Sequence, residues 1–300
     1  LGAEDDWFQD WSNASQFGML DVQSMEISEE LVKLWGIRRD MLATMVGSGW
    51  KVGAINKRTA ERTGLKVGMP VCSGGGDQQC AGVGAGVLRE GQCEVTFGTA
   101  GVSLAALNTP KYDPNRCVCL SAHAFPEKTW ESEGLQSAAA SCYRWFRDNM
   151  ASMARLVEPF IGIDPYEILN AHAAKAPVGS HGVVFAPYLA GSSCPNYNSL
   201  ARGAFLGLTF KSDFGSLARA VMEGVTMEAR TVLEAFNGFV DIKEIMMSGG
   251  ATKSELWCQI QADIYGRPTT SLVEGECTVL GAAILGGYGA GVFSNMQEAA

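Results

Sequence analysis

The alternation of strand-like runs with helical segments constrains the fold of this chain more than any single residue does. The stretch GQCEVTFGTAGVSLAAL, residues 91–107, predicts two strands joined in a hairpin around residues 98–101. Two further strand candidates follow at residues 116–124 and 129–135. Strands that come first in hairpins and are then separated by helices are typical of an α/β domain with a mixed sheet.

Helix signals occupy most of the remaining sequence. Apolar spacing predicts an amphipathic helix over residues 27–48 and a second helix over residues 141–160, and the segment Lys211-Ser212-Asp213 precedes a longer one as a candidate N-terminal cap. The run EIMMSGG, residues 244–250, predicts a strand that ends in glycines. A helix that Gly266 ends, a short strand and a glycine-rich helix complete the predicted order.

Size and charge limit the partners of the chain. Its 300 residues are 47% hydrophobic, which is enough for one large or two ordinary domains. The formal net charge is -9 and no Lys/Arg-rich block occurs, so no surface for nucleic acid or an anionic membrane is predicted. Small molecules are the expected partners. An anionic one would need backbone N–H groups, a metal ion or a few placed cations. Homodimer formation is left open.

Cysteine and histidine usage indicates structural roles. Nine cysteines, an odd number, are scattered through apolar segments, which favours buried free thiols and a cytoplasmic location over a disulfide framework. Cys117 and Cys119 form a close pair, but no second pair completes a zinc site, and no metal ligands are predicted. His123, His172 and His181 lie far apart in the sequence, so each is expected to be structural.

The stretch between Glu276 and Glu298 carries no charged residue and is long enough to raise the question of a membrane span. Its five glycines instead favour a packed helix that runs into a tight loop. No signal peptide is recognised, so no membrane association is predicted.

A carboxylate with a chemical role is predicted at Asp77. The stretch VCSGGGDQQ, residues 71–79, places Asp77 directly behind three glycines at the end of a predicted strand. Glycines there let a ligand approach the backbone and leave the carboxylate at the rim of a cleft. The alternative is an Asx turn without chemistry. Gln78 is a candidate hydrogen-bond partner for a polyhydroxy substrate, or it only solvates the loop.

A second glycine-rich turn is FGTAG, residues 97–101, in which glycines flank Thr99. Backbone N–H groups, including that of Gly98, and one hydroxyl can converge there on an anion. As a lone motif the segment equally fits an ordinary hairpin turn.

The third glycine-rich turn is SGGATKSELW, residues 248–257. Gly249 and Gly250 would let a nucleotide lie against the backbone, and Ser254 begins a helix whose positive end favours phosphate. A plain strand-to-helix turn with a serine cap fits this segment equally well. Three glycine-lined turns around one carboxylate together indicate phosphoryl transfer.

In their order, these segments resemble the FGGY family of carbohydrate kinases. The segments that carry the resemblance are DWSNAS with Asp21 following, GLKVGMPVCSGGGDQQCAGVGAGV, FGTAG, APYLAG with ARGAFLGL, SGGATKSELWCQIQADIYGRP and ECTVLGAAILGGYGAGVF. Each is loose alone, whereas the ordered set covers nearly the whole chain and is specific. The resemblance implies an ATP-dependent enzyme of the actin-like, ribonuclease-H-like fold that uses MgATP and a sugar or polyol.

The resemblance also implies roles for individual residues. Asp77 matches the base that accepts the proton of the sugar hydroxyl, and Gln78 matches a neighbour that contacts the substrate in some members. The ATP-binding residues that it implies are Gly98, Thr99, Gly249, Gly250 and Ser254. Phosphoryl transfer depends mainly on positioning and charge neutralisation, so a carboxylate on a glycine loop between two lobes suits the reaction.

Family members are roughly a domain longer at the N-terminus. Residues 1–88 are therefore expected to be the end of the sugar-binding domain, and residues 89–300 most of the nucleotide-binding domain, incomplete at its end. By itself such a fragment is expected to be inactive.

Departures from the family pattern leave the substrate open. The loop at residues 192–203 lacks the Glu-Arg pair of many xylulokinases, and GGGDQQ is closer to the glycerol-kinase version. Ala140 and Arg144 stand where glycerol kinases have nucleotide-contacting Gly and Gln. A pentulose such as xylulose is favoured, with glycerol or a tetritol as alternatives. A non-catalytic nucleotide-binding or regulatory module of the same fold is the competing hypothesis.

Overall fold

A computed structural model describes residues 7–272 and 276–299 of the chain. The strands are β1 (Phe8–Asp10), β2 (Leu20–Asp21), β3 (Glu26–Ile27), β4 (Thr44–Val46), β5 (Lys51–Ala54), β6 (Pro70–Cys72), β7 (Gln92–Phe97), β8 (Gly101–Leu107), β9 (Cys119–Ala122), β10 (Trp130–Gln136), β11 (Val184–Ala186), β12 (Ala204–Leu206), β13 (Glu244–Gly249) and β14 (Thr269–Ser271). The α-helices are α1 (Trp11–Ala14), α2 (Glu29–Trp35), α3 (Lys57–Thr63), α4 (Asp77–Gly84), α5 (Ala140–Asn149), α6 (Ser152–Ile161), α7 (Pro165–Ala173), α8 (Phe214–Phe236), α9 (Glu255–Tyr265), α10 (Cys277–Gly289) and α11 (Met296–Ala299).

Six of the strands form a mixed sheet in the order β14-β13-β7-β8-β10-β9. The strands β14, β13 and β7 run parallel, and the β7–β8, β8–β10 and β10–β9 pairs are antiparallel. The predicted mixed sheet and its hairpin are therefore confirmed. Gly249 pairs with Phe97, so the ends of β13 and β7 lie side by side at one edge.

The two faces of the sheet carry different layers, because successive residues of a strand point to opposite faces. On one face Phe97, Ala105 and Leu107 join the main core, to which α5, α8 and α9 contribute. On the other face Leu104 and Ala106 pack with residues of α4 and α10. The sequence predictions for α8 and α9 are confirmed: the Asp213 Oδ1 accepts the Ser216 N–H at 2.8 Å, and Gly266 ends α9 with φ 62°.

Helices α4 and α10 approach each other closely through glycines. A Cβ on Gly84 would clash with the Cys277 carbonyl, and one on Gly281 would clash with the Cys80 carbonyl. The charge-free, glycine-rich stretch is thus a helix packed against α4, followed by a turn at Gly291 with φ 77°. In residues 7–272 and 276–299, no helix combines the length and hydrophobicity that a bilayer span needs.

Two predicted helices were wrong in extent. In residues 27–48 only α2 and a short 3-10 helix at Arg39–Met41 are helical, because Gly36 adopts φ 66° and ends α2 one residue after Trp35. Residues 141–160 are divided between α5 and α6, because Ala151 is buried in the main core with φ -119° and ψ 28°. Apolar spacing continues across that break and concealed it.

The cysteines and histidines agree in part with the structural roles that the sequence predicts for them. Five of the nine cysteines are buried and none of the nine forms a disulfide, but Cys119 is exposed at the start of β9. His123 is fully buried, its Nε2 lies 2.8 Å from the Val87 carbonyl oxygen, and burial lowers its pKa to about 4. In the described part of the chain no cluster of three or more His, Cys, Asp or Glu could hold a metal ion.

Candidate active site

Asp77 is the first residue of α4 and follows the glycine loop that leaves β6. Its side chain is exposed, and its Oδ1 accepts a 2.8 Å hydrogen bond from the Gln78 N–H. The Oδ2 atom accepts no hydrogen bond from the residues that the structure describes. The carboxylate is thus presented to solvent at a helix N-terminus, with one oxygen available to a ligand.

The DWSNAS segment holds the glycine loop in place. The Gly76 N–H donates to the Ser12 Oγ at 2.8 Å, and the Ser12 hydroxyl in turn donates to Asp10. Asp10 also accepts hydrogen bonds from the backbone and side-chain nitrogens of Asn13, at 3.0 and 2.8 Å. Asp10 and Ser12 are buried, so this relay fixes the residue immediately before Asp77.

Packing rather than an incoming ligand requires a glycine at Gly75, and it also crowds Gly76. A Cβ on Gly75 would lie 2.6 Å from the Ala124 Cβ, and one on Gly76 would clash with the Gln79 Oε1. Only Gly74 has open space where a side chain would be. The glycine run therefore serves first to bring the loop close to its neighbours.

A small polar cleft of about 150 Å³ opens beside Asp77. Its lining consists of Ser12, Asn13, Gln16, Gly76, Asp77, Gln78, Gln79 and Glu133. Every side chain in this set can form hydrogen bonds, and none is apolar. Such a lining suits a polyhydroxy compound rather than an apolar ligand.

Three acidic side chains lie under this cleft, on the sheet face that α4 covers. The register pairs Leu104 with Glu94 on one side and with Glu133 on the other, and Ala106 with Glu131. Because directly paired residues point to the same face, these acids share the α4 face with Leu104. Glu94 and Glu131 have no solvent-exposed surface, and Glu133 is partly buried.

Burial raises the pKa of all three carboxyl groups. For Glu133, the charges of Asp77 and Glu94 raise the pKa further. For Glu131, the charge of Glu133 adds to the effect, whereas a 2.9 Å hydrogen bond from the Gln79 Nε2 opposes it. The floor of the cleft thus favours neutral carboxyl groups, while Asp77 lies at its open rim.

Glu94 links the cleft to the neighbouring strands. Its Oε1 accepts hydrogen bonds from the Thr96 and Ser248 hydroxyls, both at 2.7 Å, and its Oε2 accepts one from the Gln78 Nε2 at 3.3 Å. These donors belong to β7, β13 and α4. The residue next to Asp77 is therefore tied to the two strands that lead into the other glycine turns.

The FGTAG turn is an open hairpin tip. Thr99 is exposed, and the Gly98 N–H donates to the Ala100 carbonyl at 3.0 Å. The Gly98 and Thr99 carbonyls accept hydrogen bonds from the N–H groups of Ala140 and Ala139 at 3.0 and 3.1 Å. The first turn of α5 thereby fixes the tip and leaves the Thr99 hydroxyl available.

The two glycines of the SGGATKS turn differ in their surroundings. Gly249 has φ 82°, and a Cβ there would lie 2.6 Å from the Phe97 carbonyl oxygen, so only glycine fits. Gly250 is exposed, and the nearest atom to its Cβ would be the Phe97 oxygen at 3.9 Å. The open side of this turn is therefore at Gly250.

Ser254 is buried and caps α9, with its Oγ accepting the Trp257 N–H at 3.3 Å. The serine-cap interpretation is confirmed, and direct contact of Ser254 with a nucleotide stays a prediction.

The structure brings the predicted site residues to one region of the sheet. The Gly249–Phe97 pairing joins the two glycine turns directly, and Glu94 connects them to Gln78. Residue-by-residue sequence reasoning missed Glu94 and Glu133. The stretch WESEGLQ alternates like any strand, and nothing in it marks Glu133 as part of a cleft.

Comparison with known families gives two matches. Residues 93–290 match the C-terminal domain of the FGGY family of carbohydrate kinases, and residues 4–84 match its N-terminal domain. The boundary at residue 88 stays a prediction. Among curated relatives, the autoinducer-2 kinases of Klebsiella pneumoniae and Escherichia coli K12 are 32% and 33% identical over 294 residues. Those alignments cover 96% of this chain and 55% of each relative, so the chain spans about half the length of the curated relatives it matches.

Solved structures give the same fold. Xylulose kinase from Lactobacillus acidophilus superposes with TM-score 0.86 at 22% identity, over 97% of this chain and 57% of that one. Xylulose kinase from Rhodospirillum rubrum gives 0.80 at 29% identity, over 94% and 55%. Glycerol kinase from Plasmodium falciparum with ADP gives 0.82 at 23% identity, over 97% and 56%. The predicted actin-like α/β fold is confirmed by these neighbours.

Proposed function

Because the chain belongs to the FGGY family of carbohydrate kinases, we propose that the protein containing it transfers the γ-phosphate of MgATP to a primary hydroxyl of a small ketose or polyol. The observation that carries the proposal is the polar cleft with Asp77 at its rim, joined through Glu94 to both glycine turns.

Asp77 is assigned as the base. A carboxylate with one unbonded oxygen beside a polar cleft can accept the proton of an acceptor hydroxyl as that oxygen attacks the γ-phosphorus. Gln78 lies on the wall of the same cleft and is assigned to the acceptor. The Asp10–Ser12–Gly76 relay holds this geometry, which matters because small displacements of a reacting group lower the rate strongly.

ATP is assigned to the two glycine turns. The Gly98–Thr99 tip offers the Thr99 hydroxyl to a phosphate oxygen, whereas the Gly98 N–H already donates to the Ala100 carbonyl and shapes the tip. Gly249 shapes the second turn, and the open surface at Gly250 receives the adenosine. Ser254 fixes the start of α9 through its cap and so holds that turn in shape.

Mg²⁺ accompanies ATP in this proposal. Among the described residues no cluster of three or more His, Cys, Asp or Glu could coordinate the ion, and Asp77 is assigned as the base. The ion would therefore be held mainly by phosphate oxygens of ATP and by waters, and it would neutralise charge on the transferring phosphoryl group.

A pentulose such as xylulose is the proposed acceptor, supported by the xylulokinase-like segments and by the polar cleft. The name of the 32–33% identical relatives makes autoinducer-2 the second candidate. Glycerol and tetritols follow.

A coupled ADP-release screen of the full-length protein against pentuloses, hexuloses, glycerol, tetritols and autoinducer-2 tests the proposal. We expect acceptor-stimulated ADP release with at least one of them. If none stimulates release while MgADP still binds, the non-catalytic nucleotide-binding module becomes the better hypothesis.

A further inference from the structure

Glu133 lies on β10 and contributes its carboxyl group to the floor of the cleft that Asp77 borders. Among residues 7–272 and 276–299, nothing donates a hydrogen bond to this carboxyl group and no cation pairs with it. Its neighbours are acids on three elements: Asp77 of α4, Glu94 of β7 and Glu131 of its own strand. Glu133 is thus a partly buried acid surrounded by like charges.

The other two acids of this layer, Glu94 and Glu131, differ from Glu133 in their hydrogen bonds and in their position relative to the cleft. Glu94 accepts hydrogen bonds from Thr96, Ser248 and Gln78, and Glu131 accepts one from Gln79. Both lie in the layer beneath the cleft, and neither reaches its lining as Glu133 does. Burying an acid without a donor is unfavourable, so a stable fold retains such a group where something else supplies the donor. The open side of Glu133 is the cleft itself.

We propose that Glu133 determines acceptor specificity by accepting a hydrogen bond from the hydroxyl next to the one that is phosphorylated. The inference rests on the proposed function and adds to it a second carboxylate that contacts the acceptor. Both acids border one cleft of about 150 Å³, so a single small polyol reaches them together. Asp77 takes the proton of one hydroxyl, and Glu133 orients the molecule by holding its neighbour.

This division of roles predicts which acceptors are discriminated. Burial and the neighbouring acids raise the pKa of Glu133, whereas a hydroxyl that donates to its carboxylate lowers that pKa and so favours the charged form. A hydrogen bond to a charged acceptor is stronger than one to a neutral acceptor, and a site built to receive a hydroxyl discriminates against analogues that lack it. The protein should therefore require a hydroxyl vicinal to the reacting one. A purely structural Glu133 would affect folding and would leave this requirement unchanged.

The test is a thermodynamic cycle that combines protein variants with acceptor analogues that lack one hydroxyl. D-Xylulose is compared with its 4-deoxy analogue, and glycerol with 1,3-propanediol, by titration calorimetry and by kcat/KM in the full-length protein. In the unmodified protein we expect the missing hydroxyl to weaken binding and kcat/KM about 10- to 100-fold, the range for a hydrogen bond to a charged group. In Glu133→Ala this penalty should shrink to less than about threefold.

Matched variants separate this role from others. Glu133→Gln keeps the shape and a neutral acceptor, so it should fold and show an intermediate penalty. Glu131→Gln changes a neighbouring acid that does not line the cleft, and the penalty should remain complete. The KM for MgATP should stay within about twofold in all three variants, because none of the changed residues lies on the glycine turns.

An undiminished penalty in Glu133→Ala, or in Glu133→Gln where the alanine variant does not fold, overturns the inference and leaves the kinase proposal standing. A raised Mg²⁺ requirement with an unchanged penalty also overturns it, because Glu133 would then serve the metal. If the unmodified protein shows the hydroxyl-dependent binding but no ADP release, the kinase proposal falls and the specificity role survives. If none of the four compounds binds, the inference falls, and the ADP-release screen against the remaining acceptors decides the kinase proposal.

Discussion

The two halves of the candidate site differ in composition: acidic side chains form one half, and glycine backbone forms the other. On the proposed acceptor side, acidic side chains of β7 and β10 lie under a helix that begins with Asp77, and the chemistry belongs to those side chains. On the proposed nucleotide side, two turns at the ends of β7 and β13 present backbone atoms without side chains. Changing one residue should therefore remove a charge on the first side and block a surface on the second.

Asp77→Asn is the sharpest way to break the acceptor side. It removes the proton acceptor and leaves the shape of the loop unchanged, so we expect kcat to fall about 10²- to 10⁴-fold, the usual contribution of general base catalysis. MgATP affinity should stay within about twofold. Steady-state kinetics with the best acceptor of the screen, together with MgADP calorimetry, measure both. Unchanged turnover would show that Asp77 is not the base.

Sequence reasoning singled out the glycine turns and overlooked the acids under the cleft, for a physical reason. Glycine is visible in a sequence, and a strand that ends in glycines predicts an open turn wherever it lies in the fold. Asp77 was singled out because it follows such a run. Glu133 and Glu94 were not, because an acid on an alternating strand usually faces solvent, and only the helix packed over that face turns it into a cleft floor.

Long-range packing also limited the prediction of helices. The order of strands and helices around the sheet follows from local apolar spacing and was largely predicted. The break between α5 and α6 depends on Ala151 entering the main core. A residue-to-residue contact of that kind leaves no periodic trace in the sequence.

Gly250→Val is the matching change on the nucleotide side. The position is exposed, and a Cβ there would meet nothing closer than 3.9 Å, so stability should change by less than about 0.5 kcal/mol. The added side chain would occupy the surface proposed for adenosine, and we expect MgADP affinity to fall at least about tenfold. Calorimetry on the full-length protein and on the variant measures this. Equal binding would make the turn a structural connection only.

Gly249→Ala tests whether packing fixes the shape of this turn, separately from any contact of the turn with a nucleotide. Here the new Cβ would lie 2.6 Å from the Phe97 carbonyl oxygen in a backbone with φ 82°, so the strand end must move. We expect a loss of about 1 to 3 kcal/mol in the free energy of unfolding, measured by urea denaturation. Gly250→Val is its control. If both variants were equally stable, the contrast between a packed and an open glycine would be wrong.

Glu131→Gln changes an acid that lies beneath the cleft and is not part of its lining. Glu131 has no exposed surface, and its Oε2 has no hydrogen-bond partner among the described residues. Burial and the Glu133 charge raise its pKa above the unfolded value of about 4.3, so the native state holds more protons than the unfolded state as pH rises past that value. The contribution of Glu131 to the free energy of unfolding must therefore decrease with rising pH until its native pKa is passed.

The glutamine side chain at position 131 is uncharged in the folded and the unfolded state, so the variant should lose this decrease of the free energy of unfolding with rising pH. We expect it to match the unmodified protein near pH 4 and to be more stable by about 1 to 2 kcal/mol at pH 8, since it no longer has to bury a charge. Urea titrations across that pH range measure the difference. Glu127→Gln, at an exposed position, is the control and should follow the unmodified protein throughout. If the difference in the free energy of unfolding between the two proteins did not change with pH, Glu131 would carry the same charge in the folded and unfolded states. The acids beneath the cleft would then not be a layer in which burial disfavours charge, and the contrast with the exposed backbone of the glycine turns would be lost.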